Sequence, residues 1–242
     1  MTETLRQKFT LDDVEKVLPL KSWWALVLVL PLVRPLTLIV VNRTSITPNA
    51  ITVTSILFRV ITALAFLTVT REGYIIGAIA YFLAYLLDCM DGAVARLRKM
   101  SSEFGRFLDH FGDLGGDLMI LSVLAFSHGL LATPMIIGML YMHLTECYIS
   151  FLSGNILRNA TPSNSSFILF RLFNSYRDWW FKQNIKSFFS FPDYTALIFV
   201  VFPLFNRASE GLRIGFFVLL SICLYTILST FVSILTGRNQ FP

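Results

Sequence analysis

A chain of 242 residues that is 55% hydrophobic, with mean hydropathy +0.66, is too apolar for a soluble domain and reads as a polytopic membrane protein. Only 14% of its residues are charged, and the formal net charge is +5. In so apolar a chain that balance points to anionic lipid headgroups and away from nucleic acid. Cys89, Cys147 and Cys223 lie in apolar stretches without ligand-like spacing, which argues against a zinc site or a disulfide framework.

Residues 1–22 are polar with scattered apolar positions and are expected to form a cytosolic segment, with no cleavable signal sequence. Residues 23–43 are apolar but interrupted by Pro31, Arg34 and Pro35, which predicts a kinked helix lying on the membrane surface. Residues 44–242 then form an all-α transmembrane domain. Its spans are expected near 49–70, 74–98, 104–127, 133–155, 193–206 and 211–236, the fifth short for a hydrocarbon core of about 30 Å. Between the fourth and fifth, residues 157–192 carry Arg158, Arg171, Arg177, Lys182 and Lys186 among Trp179, Trp180, Phe181, Phe188 and Phe189. Such a basic aromatic segment is expected on the membrane surface. The N-terminal region, the 96–106 connection, this segment and the C-terminus with Arg238 are basic, whereas the opposite connections are nearly balanced. The positive-inside rule therefore puts both termini on the cytoplasmic side, as six spans require.

At the cytoplasmic ends of the second and third spans stand four carboxylates, Asp88, Asp91, Asp109 and Asp113. Ionised groups at membrane depth are costly, and four together repel unless a cation holds them. Asp88 and Asp91 are three residues apart and Asp109 and Asp113 four apart, so on helices each pair shares a face. Hard oxygen ligands of this kind suit Mg²⁺ or Mn²⁺. Gly92 and Ala95 lie on the Asp88 face and leave room beside the metal, while Arg96 supplies a planar fork for phosphate. The competing reading makes the acids structural partners of Arg96, Arg98, Lys99 and Arg106.

Three further places are polar at depth. Thr47-Pro48-Asn49 with Thr52 opens the first span and reads physically as a capped helix start. Arg59 lies about 15 Å into that span and shares a face with Thr52. It pairs with Glu146 of the fourth span, at similar depth, or else lines a substrate cavity. Asp117 continues the Asp109 and Asp113 face, where it meets either an acceptor hydroxyl or a buried polar partner.

The string from Asp88 to Asp113, D-x2-D-G-x2-A-R-x8-G-x3-D-x3-D, resembles the motif of the CDP-alcohol phosphotransferase (CDP-alcohol phosphatidyltransferase) family at every defining position. That resemblance implies a six-span membrane enzyme, preceded by an interfacial amphipathic helix and forming a homodimer. It implies transfer of a substituted phosphate from a CDP-linked donor to a hydroxyl acceptor with release of CMP. It makes Asp88, Asp91, Asp109 and Asp113 the ligands of Mg²⁺ or Mn²⁺, with Asp113 also the general base. It assigns Asn49, Thr52, Asp88, Gly92, Ala95, Arg96 and Gly105 to the nucleotide. Arg59, Asp117, Glu146 and Arg158 remain candidates for the acceptor or the cavity wall.

The expected donor is CDP-diacylglycerol, in phospholipid biosynthesis at the cytoplasmic membrane of a prokaryote, with a small hydroxylated acceptor. The alternatives are a soluble CDP-choline or CDP-ethanolamine donor with diacylglycerol as acceptor, and a cation transporter. A fixed arginine in the Gly92-x-x-Ala95-Arg96 element argues against ion transport.

Overall fold

The computed structural model describes residues 8–157 and 168–236, and its regular elements there are all helices. Helix α1, Leu11–Val17, starts in a capping box: Asp13 N–H donates to Thr10 Oγ1, and the Asp13 carboxylate accepts from the Thr10 N–H. Helix α2, Ala25–Arg43, opens with a π-helical turn over Ala25–Val29 and runs on through Pro35. Thr47, Thr70 and Ser102 cap α3 (Pro48–Leu67), α4 (Arg71–Leu97) and α5 (Glu103–Ser127), each accepting a first-turn N–H. The chain continues through α6 (Pro134–Leu157), α7 (Ile168–Lys182), α8 (Phe191–Leu204) and α9 (Ala208–Thr236).

Among the described residues, five helices are long and apolar enough to cross a membrane: α2, α3, α4, and the Pro134–Leu152 and Ala208–Leu235 stretches of α6 and α9. The first of these is the segment expected to lie on the surface. Its amphipathic division is not seen: Leu30 and Val33 are buried in a cluster with Leu86 and Met90 of α4, while the outward Val27, Leu28, Leu32, Leu36 and Ile39 are equally apolar. Arg34, which argues against burial in lipid, has its charge met by Glu15 of α1. Helix α5 carries more acids than a simple span, but it turns Asp117 inward and Phe104, Phe107 and Phe111 outward. Helix α8 is shorter than a bilayer span, and its Ile198, Phe199 and Val200 are buried among protein side chains.

Helices α3, α4 and α5 pack as one group and α6 with α9 as another. They share a core that includes Phe66, Tyr81, Leu124, Met139, Phe199 and Leu219. Gly77 lets the Phe66 ring lie against α4, since a Cβ there would stand 2.4 Å from Phe66 Cε1. The result is a cleft between α3, α4 and α5 that opens at the end where α4 stops and α5 begins.

Glu15 fastens α1 to the rest of the bundle. It accepts from Lys21 Nζ and from Arg34 Nε at 2.8 Å. Partial burial works against its charge, but these two cations prevail and hold its carboxyl below the usual carboxylate range. The folded value is depressed, so the stabilisation is present above about pH 4 and lost as pH falls below that. The side chain is 38% exposed, so the effect is small. Glu15→Gln is expected to lower the melting temperature by about 1–3 °C at pH 7, with the difference shrinking below about pH 4 in a thermal-shift series.

Candidate active site between two joined cavities

Asp88 and Asp91 stand near the end of α4, and Asp109, Asp113 and Asp117 lie on successive turns at the start of α5. One carboxylate oxygen each from Asp88, Asp109 and Asp113 lie within 4.8 Å of one another. Oxygens bound to Mg²⁺ at about 2.0–2.1 Å stand at most about 4.2 Å apart, so a small closing of these three side chains would let them share one such ion. Asp91 stands outside this triad. Its carboxylate, on a residue 4% exposed, accepts from Thr52 Oγ1 at 2.5 Å.

The cations near the motif do not serve as its partners. Arg98 Nη2 donates to the Val40, Val41 and Thr44 carbonyls and Nη1 to Ile46, clamping the C-terminal end of α2. Arg106 pairs with Glu103. Arg96 Nε donates to the Val17 carbonyl at 2.7 Å. The reading of the aspartates as structural mates of these side chains is therefore not what the chain builds.

The cation that does meet them is Arg59. Its Nη2 lies 2.5 Å from Asp113 Oδ1 and 3.4 Å from Asp88 Oδ1, and its Nε 3.4 Å from Asp117 Oδ1. Arg59 does not pair with Glu146. Depth in the membrane is similar for the two, but Arg59 faces α4 and α5, whereas Glu146 accepts from Ser150 Oγ at 2.9 Å and Thr226 Oγ1 of α9 at 3.5 Å. Asp117 has a buried polar partner as well, accepting from Tyr81 Oη at 3.1 Å.

Two cavities meet at the carboxylates. The first, about 460 Å³, is lined by Asn49, Thr52, Gly92, Ala95, Arg96 and Gly105. These are the residues assigned to the nucleotide from the sequence, apart from Asp88, which lies in the second cavity. The close packing explains two glycines. A Cβ at Gly105 would stand 3.0 Å from Asn49 Oδ1, and one at Gly92 would press on Arg96 Nη1 at 3.1 Å. Gly92 thus lets the guanidinium lie along α4.

The second cavity, about 650 Å³, holds Arg59, Asp88, Asp113 and Asp117, and its far wall carries Glu146, Ser150 and Lys186. Asp91, Gly92, Arg96 and Asp109 line both cavities and form the passage between them. Asp113 is 43% accessible there through its side chain.

Two lining residues, Lys21 and Lys186, have no signal in the sequence that places them at the site. Lys21 and Lys186 are brought together by a parallel bridge, in which Lys21 N–H donates to the Asn184 carbonyl at 3.0 Å and Lys186 N–H to the Lys21 carbonyl at 2.9 Å. Arg158 lies outside the described residues.

The described residues thus form a helical bundle with an acid cluster where two cavities join. The chain belongs to the CDP-alcohol phosphatidyltransferase family, whose model matches residues 45–228. It is thus a transferase of an integral membrane family. Among solved structures it is similar to a phosphatidylinositol phosphate synthase of Mycobacterium tuberculosis with CDP-diacylglycerol bound, at 18% identity over 89% of this chain and 97% of that one, with a TM-score of 0.51. The same synthase in complex with manganese and citrate matches at 19% identity, over 88% and 91% of the two chains, with a TM-score of 0.50. At that identity the likeness establishes the fold. No curated protein matches the chain.

Proposed function

We propose that the protein transfers a phosphatidyl group from CDP-diacylglycerol to a small hydroxyl-bearing acceptor and releases CMP. The observation that carries this reading is the junction of two cavities at the carboxylates, one sized and lined for a nucleotide and the other open to a second reactant. The donor carried by the M. tuberculosis structure supports it.

Asn49 and Thr52 face the cytidine, and Arg96 forks onto the diphosphate from the passage. A divalent cation on Asp88, Asp109 and Asp113, with Asp91 beside it, would neutralise the diphosphate and stabilise the departing CMP; the manganese in the second M. tuberculosis structure supports this. The acceptor occupies the larger cavity against Glu146 and Lys186. Its hydroxyl oxygen attacks the β-phosphorus in line, the phosphoanhydride bond to CMP breaks, and the bonding pair leaves with CMP. Asp113, held at Oδ1 by Arg59, serves as ligand and base in turn, with Oδ2 the oxygen that takes the hydroxyl proton. We further propose that this face is cytoplasmic in a prokaryotic membrane, that residues 23–43 sit at its surface, and that the enzyme works as a homodimer.

The test is CDP-diacylglycerol labelled either in cytidine or in glycerol, incubated with purified protein, Mn²⁺ and a panel of alcohols. Cytidine label should appear as soluble CMP only when the right alcohol is present, and glycerol label should stay in lipid. Chelator should stop both. If the protein ignores this donor and turns over CDP-choline or CDP-ethanolamine with diacylglycerol, the donor assignment is wrong while the family chemistry stands.

A further inference from the structure

Arg59 is 2% exposed and enters the carboxylate cluster from the middle of α3. A buried guanidinium is permanently charged and needs several acceptors at once. The chain supplies them from three helices. Ser55 Oγ accepts from Nη1 at 2.9 Å, and is free to do so because its own hydroxyl donates to the Ala84 carbonyl at 2.9 Å. Nη2 reaches Asp88 on α4 and Asp113 on α5.

The space for this side chain is carved from α5. A Cβ at Gly116 would lie 2.4 Å from Arg59 Cδ and 3.3 Å from its Nε. Aim, space and partners thus converge on one geometry. Two of the three carboxylates that converge on a common point, Asp88 and Asp113, each give an oxygen to Arg59. An oxygen engaged by a guanidinium is a poorer ligand for a metal ion, and two cations sharing the same carboxylates repel each other.

We propose that Arg59 is a resident cation of the carboxylate centre: it occupies the Asp88 and Asp113 edge and limits the motif aspartates to one divalent ion per chain. Arg59 is in this sense a positioning residue. It fixes two carboxylates from outside and decides how many metal charges the site takes up. The proposal rests on the reading of the cluster as a metal site, and its readout is metal binding, independent of turnover.

The experiment is Mn²⁺ titration of the lipid-reconstituted full chain, followed by the loss of the free Mn²⁺ paramagnetic resonance signal. The wild type should bind one Mn²⁺ per chain. Arg59→Gln should bind a second, or bind the first at least tenfold more tightly. Arg59→Lys, which keeps the charge, should stay at one. Because Arg59→Gln leaves three carboxylates facing each other, the double variant Arg59→Gln with Asp117→Asn is measured alongside it; it removes one of the stranded charges and should show the same gain. A folded neutral variant with wild-type stoichiometry and affinity overturns the proposal, as does a wild type that binds two ions. A wild type that binds none overturns the metal-site reading and this proposal with it, whereas failure to use CDP-diacylglycerol affects only the donor.

Discussion

Asp109→Asn should abolish transfer and leave the fold intact. Among the described residues no hydrogen-bond donor meets the Asp109 carboxylate, so the amide breaks no structural contact. Asp109 nevertheless belongs to the triad of converging oxygens and lines both cavities. Asparagine keeps its volume and removes the charge that faces the reacting diphosphate. Groups that stabilise developing charge in dry sites typically contribute about 10²–10³-fold in rate, or about 3–4 kcal/mol. Asp91→Asn should lose as much turnover, and also some stability, since Asp91 is buried and its partner Thr52 then faces a weaker, neutral acceptor. CMP release and a melting curve on each variant measure both effects. A folded Asp109→Asn protein retaining more than about a tenth of wild-type turnover would remove Asp109 from the reaction centre.

The motif was legible because its logic is local. Spacings of three and four residues put the acids on one face of each helix, and the order of α4 and α5 brings those faces together. The bounds of most helices were legible for the same reason: a hydrophobic run with capping residues needs no tertiary knowledge. What could not be read was the pairing of charges between distant segments. Matching Arg59 to Glu146 by depth fails because depth does not fix azimuth. A signal for azimuth existed: Thr52, Ser55, Arg59 and Thr62 form a polar stripe down α3, all of it buried, and that stripe must face other polar groups. The partner of Arg34 was not legible either, because Glu15 stands nineteen positions away on another helix. The Lys21 and Lys186 bridge joins residues 165 positions apart through backbone atoms, and no side-chain pattern announces it.

Neighbouring glycines on α5 should respond in opposite ways to the same substitution. Gly115 and Gly116 both sit inside a helix, where alanine is intrinsically better than glycine by about 0.5–1 kcal/mol. At Gly115 an added Cβ would meet only Phe111 Cε2 at 3.9 Å, an ordinary contact. Gly115→Ala should therefore be neutral to mildly stabilising and fully active. At Gly116 the added Cβ would stand 2.4 Å from Arg59 Cδ, 3.3 Å from Nε and 3.4 Å from Cβ. The contact falls on the stem, not on a free end, and the head is tethered to Ser55, Asp88 and Asp113. Relief requires α3 and α5 to separate or the guanidinium to leave its carboxylates. Overpacking of this kind costs about 1–3 kcal/mol, and loosening a buried ion pair adds to it. Gly116→Ala should thus melt several degrees lower and lose at least about tenfold in CMP release, because Asp113 moves with its partner. Melting and CMP release of the two variants, prepared side by side, decide the matter: equal behaviour at 115 and 116 would mean that Arg59 is not held where its contacts place it.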